Sequence, residues 1–81
     1  MIFGVYCIED LKSGFLTPTI EINDNVARRN FEHAIMSGGN VMFTHQEDFR
    51  LMKLGEFDSD TGRLAPAELI AIVCDGKDVL L

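Results

Sequence analysis

The chain has no tryptophan, one tyrosine, two prolines, two histidines and two cysteines in 81 residues. Each scarcity excludes something. Cys7 and Cys74 lie far apart with no CxxC pair, which removes the common zinc and dithiol patterns and leaves two buried thiols as the expectation. His33 and His45 match no ligand spacing such as HExxH, so a helix-surface imidazole and a loop imidazole are expected, and no metal site. The apolar run in residues 1–10 is short, ends in Glu9 and Asp10 and lacks a basic flank, so neither a signal peptide nor a membrane span is expected. The protein is therefore expected inside the cell that makes it, with no membrane partner. Basic residues are also scarce. Seven Lys and Arg against 13 Asp and Glu give a formal net charge of -6, and a pI near 4.6. Such a charge repels a polyanion on average.

What is present is a moderate supply of apolar residues, 47% of the chain with six phenylalanines. This suits a single domain spanning residues 1–81 with one thin core layer. One sheet with one helix leaves a second sheet face to be covered, so self-association as a homodimer or larger homo-oligomer is expected.

Residues 2–8 alternate two apolar sets, Ile2, Gly4, Tyr6, Ile8 and Phe3, Val5, Cys7, which predicts a central strand covered on both faces. A polar connection over residues 9–14 leads to a second strand, residues 15–22. There Leu16, Ile20 and Ile22 face one way, Phe15, Thr17, Thr19 and Glu21 the other, and Pro18 marks an edge or a bulge. Asn23 or Asp24 caps a helix over residues 25–37, ended by Gly38 and Gly39, with Ala27, Phe31, Ala34 and Ile35 as the stripe that meets the sheet. Arg28, Arg29, Asn30, Glu32 and His33 fall largely outside that stripe, and Arg28 and Glu32 have pairing distance along the helix.

Val41, Met42 and Phe43 form a short apolar link, followed by a polar loop or single helical turn over residues 44–48 with Thr44 as its cap. Residues 49–64 read as a hairpin. Phe49, Leu51, Lys53, Gly55 and Phe57 alternate with Arg50, Met52, Leu54 and Glu56, and residues 58–62 supply the turn, with a positive backbone angle at Gly62 and a bulge or close approach at Gly55. Residues 68–74 are read as strand because of Ile70, Ile72 and Val73, although Pro66, Ala67 and Glu68 also suit a helix start. After a turn at residues 75–77, Val79, Leu80 and Leu81 form an apolar end suited to framing a partner subunit. The fold class is α+β: a small antiparallel β-sheet with one packed α-helix, in the order β-β-α-β-β.

No catalytic constellation emerges, and no cofactor site. Asp58 and Asp60 resemble the opening of a calcium loop, but Gly62, Arg63 and Leu69 stand where the third ligand, the turn glycine and the bidentate Glu belong, so a plain turn is expected. The adjacent pairs Glu9-Asp10 and Glu47-Asp48 sit at element ends, where a solvated or capping role accounts for them. Cys7 lies inside an apolar strand with no base placed beside it. Exposed Tyr6, Phe15, Phe49 or Phe57 beside a cation would supply stacking platforms for single-stranded DNA, whereas core packing is their commoner fate. Arg50 and Lys53 point to opposite faces of one strand, so the basic residues do not assemble a groove by sequence alone.

Several short motifs in order carry a resemblance: Tyr6-x-Ile8-x-Asp10 with Lys12 and Gly14-Phe15, Pro18, Asn23-Asp24-x-x-Ala27-x-Arg29-x-Phe31, and Glu47-Asp48-Phe49-x-Leu51-x-x-Leu54-Gly55-x-Phe57-Asp58-x-x-Thr61-Gly62. In these the chain resembles the small non-structural protein of gokushovirus-type microviruses, tailless phages with single-stranded DNA genomes. The resemblance covers the first three-quarters of the chain, and Gln46 departs from the pattern, where a proline is expected. It implies a non-enzymatic role in synthesis or packaging of the single-stranded DNA genome, in the cytoplasm of the bacterial host and outside the mature virion. Single-stranded DNA and a phage replication or capsid protein are the implied partners. Arg29, the matched basic position on the outer helix face, is the leading DNA-contact candidate, with Arg28 and Lys12 beside it. The rival expectation is a protein-interaction or assembly module that contacts replication or capsid proteins without DNA.

Overall fold

A computed structural model of the chain describes residues 1–80. Strand β1 (Ile2–Asp10) lies in the interior of an antiparallel sheet whose order is β2-β1-β4-β5, with β3 also paired to β1. The short strands β2 (Gly14–Phe15) and β3 (Thr19–Glu21) together form one edge. They replace the single strand expected there, because Pro18 cannot donate to the ladder and residues 16–18 leave the regular pairing. That break also changes the facing. Phe15, opposite Glu9, and Ile20, opposite Val5, share one side of the sheet, whereas unbroken alternation would have separated them.

Helix α1 (Asp24–Met36) begins at Asn23, whose side chain accepts a hydrogen bond from the Val26 amide. Its Ala27, Phe31 and Ile35 are buried at the expected spacing. Gly38 and Gly39, both with positive φ (73° and 69°), turn the chain away. One helical turn, α2 (Val41–Thr44), follows, and its cap is Asn40, which accepts from the Phe43 amide at 3.1 Å. Thr44 does not cap. Its hydroxyl bonds back to the Val41 carbonyl and lies against the His45 ring, and a 3-10 turn (Gln46–Asp48) completes the connection.

The hairpin is present as β4 (Phe49–Asp58) and β5 (Arg63–Asp75), joined by a turn with Gly62 at φ 76°. Residues 68–74 are therefore strand, as their β-branched content predicts. Three irregularities shape β4 and its partners, the first an extra residue at Val73 of β5, since Leu51 opposes Cys74 while Met52 opposes Ile72. On the β1 side Val5 opposes Gly55 and Tyr6 opposes Lys53, so Leu54 is an extra residue. On the β5 side Gly55 opposes Pro66 while Lys53 opposes Ala71, so residues 67–70 loop out of the ladder. The extra residue at Leu54 reverses the facing of the rest of the strand. Gly55 and Phe57 join Met52 on one side, whereas Glu56 shares the side of Leu51 and Lys53, against uninterrupted alternation. Gly55 is needed for close approach: a Cβ there would meet the Ala65 carbonyl oxygen and the Pro66 backbone.

The core lies between α1 and one sheet face. Tyr6, Ala27, Phe31, Ile35, Phe49, Leu51 and Val79 form it, with Ile8, Met42, Val73 and Cys74 packed against it. Val79 thus belongs to the chain's own core rather than to an open apolar end. Gln46 holds that segment by donating to the Gly76 and Val79 carbonyls, both at 2.8 Å. Leu80 is exposed, and Leu81 of the expected apolar end lies outside the described residues.

Candidate functional site

The sheet divides the molecule into two surfaces. The helix side is occupied by the core. At its upper end the Tyr6 hydroxyl donates to Asp24 Oδ1 at 2.5 Å, and Lys53 Nζ lies 3.6 Å from the same oxygen and 5.9 Å from the centre of the Tyr6 ring. The Tyr6 ring is fully buried and lies over Gly4, where any Cβ would strike it. Burial first, then the hydrogen bond to Asp24 and the charges of Asp24 and Glu21, push its phenol far above the usual range. A phenol held protonated in this way ties the helix N-terminus to the sheet. It is the wrong state for a general base.

The opposite face carries no helix. Register places Phe3, Val5 and Cys7 of β1 there, with Met52 and Phe57 of β4, Leu64, Pro66 and Ile72 of β5, and Phe15 and Ile20 of the short edge strands, and the extra residue Leu54 lines one hollow with Val5, Leu64 and Pro66. Alternation predicts that both faces of β1 are covered; within the chain only the helix side is, and Phe3 and Val5 on the other side are left half-buried. Cys7 and Met52 form the buried floor, and the Cys7 thiol donates to the Leu16 carbonyl at 3.1 Å. Burial raises its pKa, as it does that of Cys74, which is partly buried on the helix side. Neither thiol has the depressed pKa of a nucleophile. The charged residues that register places on this face stand at one end, where Arg50 Nε meets Glu9 Oε1 at 2.7 Å and Asp75 stands opposite Arg50.

The basic residues divide into two groups. Arg50 is paired with Glu9, Lys53 with Asp24, and Arg28 donates from Nη2 to the Val73 carbonyl at 2.9 Å, which fastens α1 to β5. Arg28 makes no ion pair with Glu32 among the described residues, because the β5 carbonyl takes its guanidinium. Lys12, Arg29, Arg63 and Lys77 are exposed and, among the described residues, carry no ion pair. The structure does not gather the three sequence candidates into one groove. Lys12 sits in the β1–β2 turn, Arg29 on the outer face of α1, and Arg28 is committed to β5. Of the aromatic candidates, Tyr6 and Phe49 are core residues and Phe57 is half-buried. Phe15 alone is well exposed, at 48%, in the same hairpin as Lys12.

In the β4–β5 turn, Asp58 accepts from the Asp60 amide, a bond that holds its carboxyl below the usual range. Asp60 takes the Met1 ammonium at 2.6 Å. Both carboxylates are thus engaged, one by the turn's own backbone and the other by the Met1 ammonium. Among the described residues no group of three or more His, Cys, Asp or Glu side chains converges as metal ligands do.

These features define a small α+β protein with a helix-lined core on one side of its sheet and an open apolar surface on the other. A family model described as Phage ORF5 protein matches residues 3–79, and the chain belongs to that phage protein family. Searches of curated proteins and of solved structures found no match.

Proposed function

We propose that this phage protein is a non-enzymatic accessory factor in synthesis or packaging of a single-stranded DNA genome, acting by contact and as an oligomer. The observation that carries the reading is the separation of surfaces. Lys12, Arg29, Arg63 and Lys77 all lie off the open apolar face: Lys12 and Lys77 in turns, Arg29 on the outer helix face, and Arg63 opposite Asp58 on the helix side of β4. Covering the apolar face in an oligomer therefore leaves these four cations in solvent and multiplies them. Phosphate contacts from such positions release counterions, so binding would fall steeply with salt.

The test is retardation of labelled single-stranded DNA over a salt series. Binding at low salt is expected, and Arg29→Ala or Lys12→Ala should each reduce the salt slope by about one for a lost phosphate contact. No retardation at low salt would sink the DNA role.

A second reading, an assembly module that contacts a replication or capsid protein, is favoured by the formal charge of -6 and by the cations already consumed inside the fold. Tagged protein recovered from infected cells with neither a phage nor a host protein attached would count against it.

A further inference from the structure

We propose that two copies of this chain stack through the open sheet face, forming a two-fold sandwich of sheets with α1 on the outside of each. The inference deepens the oligomeric part of the proposed function and is independent of DNA. Its first support is exposure. Phe15 and Ile20 are each 48% exposed, Ile72 51% and Leu64 68%, all on one side of the sheet. With the half-buried Phe3, Val5 and Phe57 between them they make this side of the sheet an exposed apolar surface of the kind that marks an interaction site on a soluble protein.

The second support is that both sheet edges are unsuited to growing the sheet. At the β2/β3 edge Pro18 interrupts the strand, and at the β5 edge Pro66 and the looped residues 67–70 break the ladder. Such edges are blunted against edge-to-edge pairing. Face-to-face packing is what remains, and two apolar sheet faces meeting at the usual spacing of about 10 Å build a second core layer. The third support is the distribution of polar groups. Among the described residues that the register places, the centre of the face holds no charged side chain, and Arg50, Glu9 and Asp75 stand at one end, where they stay at the rim. A copy of the same face meets it without burying an unpaired ion. An anionic membrane is disfavoured by the net charge of -6.

Equilibrium sedimentation of the full chain without DNA tests this. The wild-type protein is expected at twice its chain mass of 9.1 kDa. Ile72→Glu is expected at the monomer mass with a retained helix signal in circular dichroism. Ile72→Thr keeps the β-branched side chain and so guards against misfolding; it should weaken the dimer at least about tenfold, since each interface contains the residue twice. Met36→Glu, on the exposed side of α1, should leave the dimer intact. Wild-type protein that stays monomeric at the highest soluble concentration overturns the proposal, as does a dimer untouched by Ile72→Glu or one dissociated by Met36→Glu. Gain of mass only with a phage or host protein overturns it in favour of a different partner. A monomer that still retards DNA would remove the dimer and spare DNA contact; a dimer that ignores DNA would do the reverse.

Discussion

At the scale of single residues, Tyr6 is the group whose chemistry is most changed by the fold. It is the chain's only tyrosine, and there is no tryptophan, so its ionisation can be followed without interference. Its folded pKa is raised, so the stability it contributes is fully present below the ordinary phenol range. That stability is lost as pH rises beyond this range, because the unfolded chain ionises there and the folded one does not. Cys7 and Cys74 act in the same direction, beginning at the ordinary thiol range. Tyrosinate absorbance should therefore appear together with loss of the helix signal, in one cooperative alkaline transition. A phenol that titrates in its normal range while the protein stays folded would contradict this. Tyr6→Phe removes the bond to Asp24 and should lower stability by about 1 kcal/mol, a modest figure because Asp24 is largely solvated. Chemical denaturation measures it, and the alkaline limb should flatten in the same variant.

Secondary-structure elements show where local chemistry decides and where it does not. Gly55 and Gly62 are separated by one hairpin but matter for different reasons. Gly55→Ala drives a methyl into the Ala65 carbonyl and should cost about 1–3 kcal/mol as an overpacked site. Gly62→Ala has open space but a left-handed backbone, and should cost about 1–2 kcal/mol. Urea midpoints for the two variants compare these costs directly. Both glycines are legible in the sequence, as are the Asn23 cap, the Gly38-Gly39 stop and the alternation of β1, because each is a local signal. The features that escape a local reading have a common cause. The extra residue at Leu54 and the break at Pro18 each invert the facing of the strand residues that follow, in β4 and β3 respectively, and alternation counted along the chain carries no mark of where the count slips. Uninterrupted counting therefore groups Phe57 and Phe15 with the wrong neighbours.

For the whole molecule, the balance of apolar surface dominates. Among the described residues nine apolar side chains are buried while fifteen large ones are exposed. Four of the fifteen, Phe15, Ile20, Leu64 and Ile72, lie on the open face; if a second copy closes it, stability becomes linked to protein concentration, and the melting temperature should rise with concentration across a dilution series of the wild-type chain and stay constant for Ile72→Glu. The candidate surface is legible in the sequence only in outline. A single helix cannot cover two sheet faces, which foretells an open side, but its membership depends on strand register. The role of Arg28 is hidden for a different reason. Its bond joins residues far apart in sequence, and nothing around position 28 announces a carbonyl on β5. The same holds for Gln46, whose two bonds bring Val79 into the core.

The position of β1 between β3 and β4 bears on how the chain is made. Its apolar residues leave the ribosome well before those of β4, yet Ile2 pairs with Asp58 and Phe3 with Phe57, so the main partner strand is synthesised long afterwards. Until then the nascent chain carries an unpaired apolar strand, with only the short β2 and β3 segments to shield it. Such non-local closure slows folding and lengthens exposure to aggregation. A host chaperone that holds short extended apolar segments would bear most heavily on residues 2–8, and the yield of soluble protein should depend more on that chaperone than on the sequence of α1.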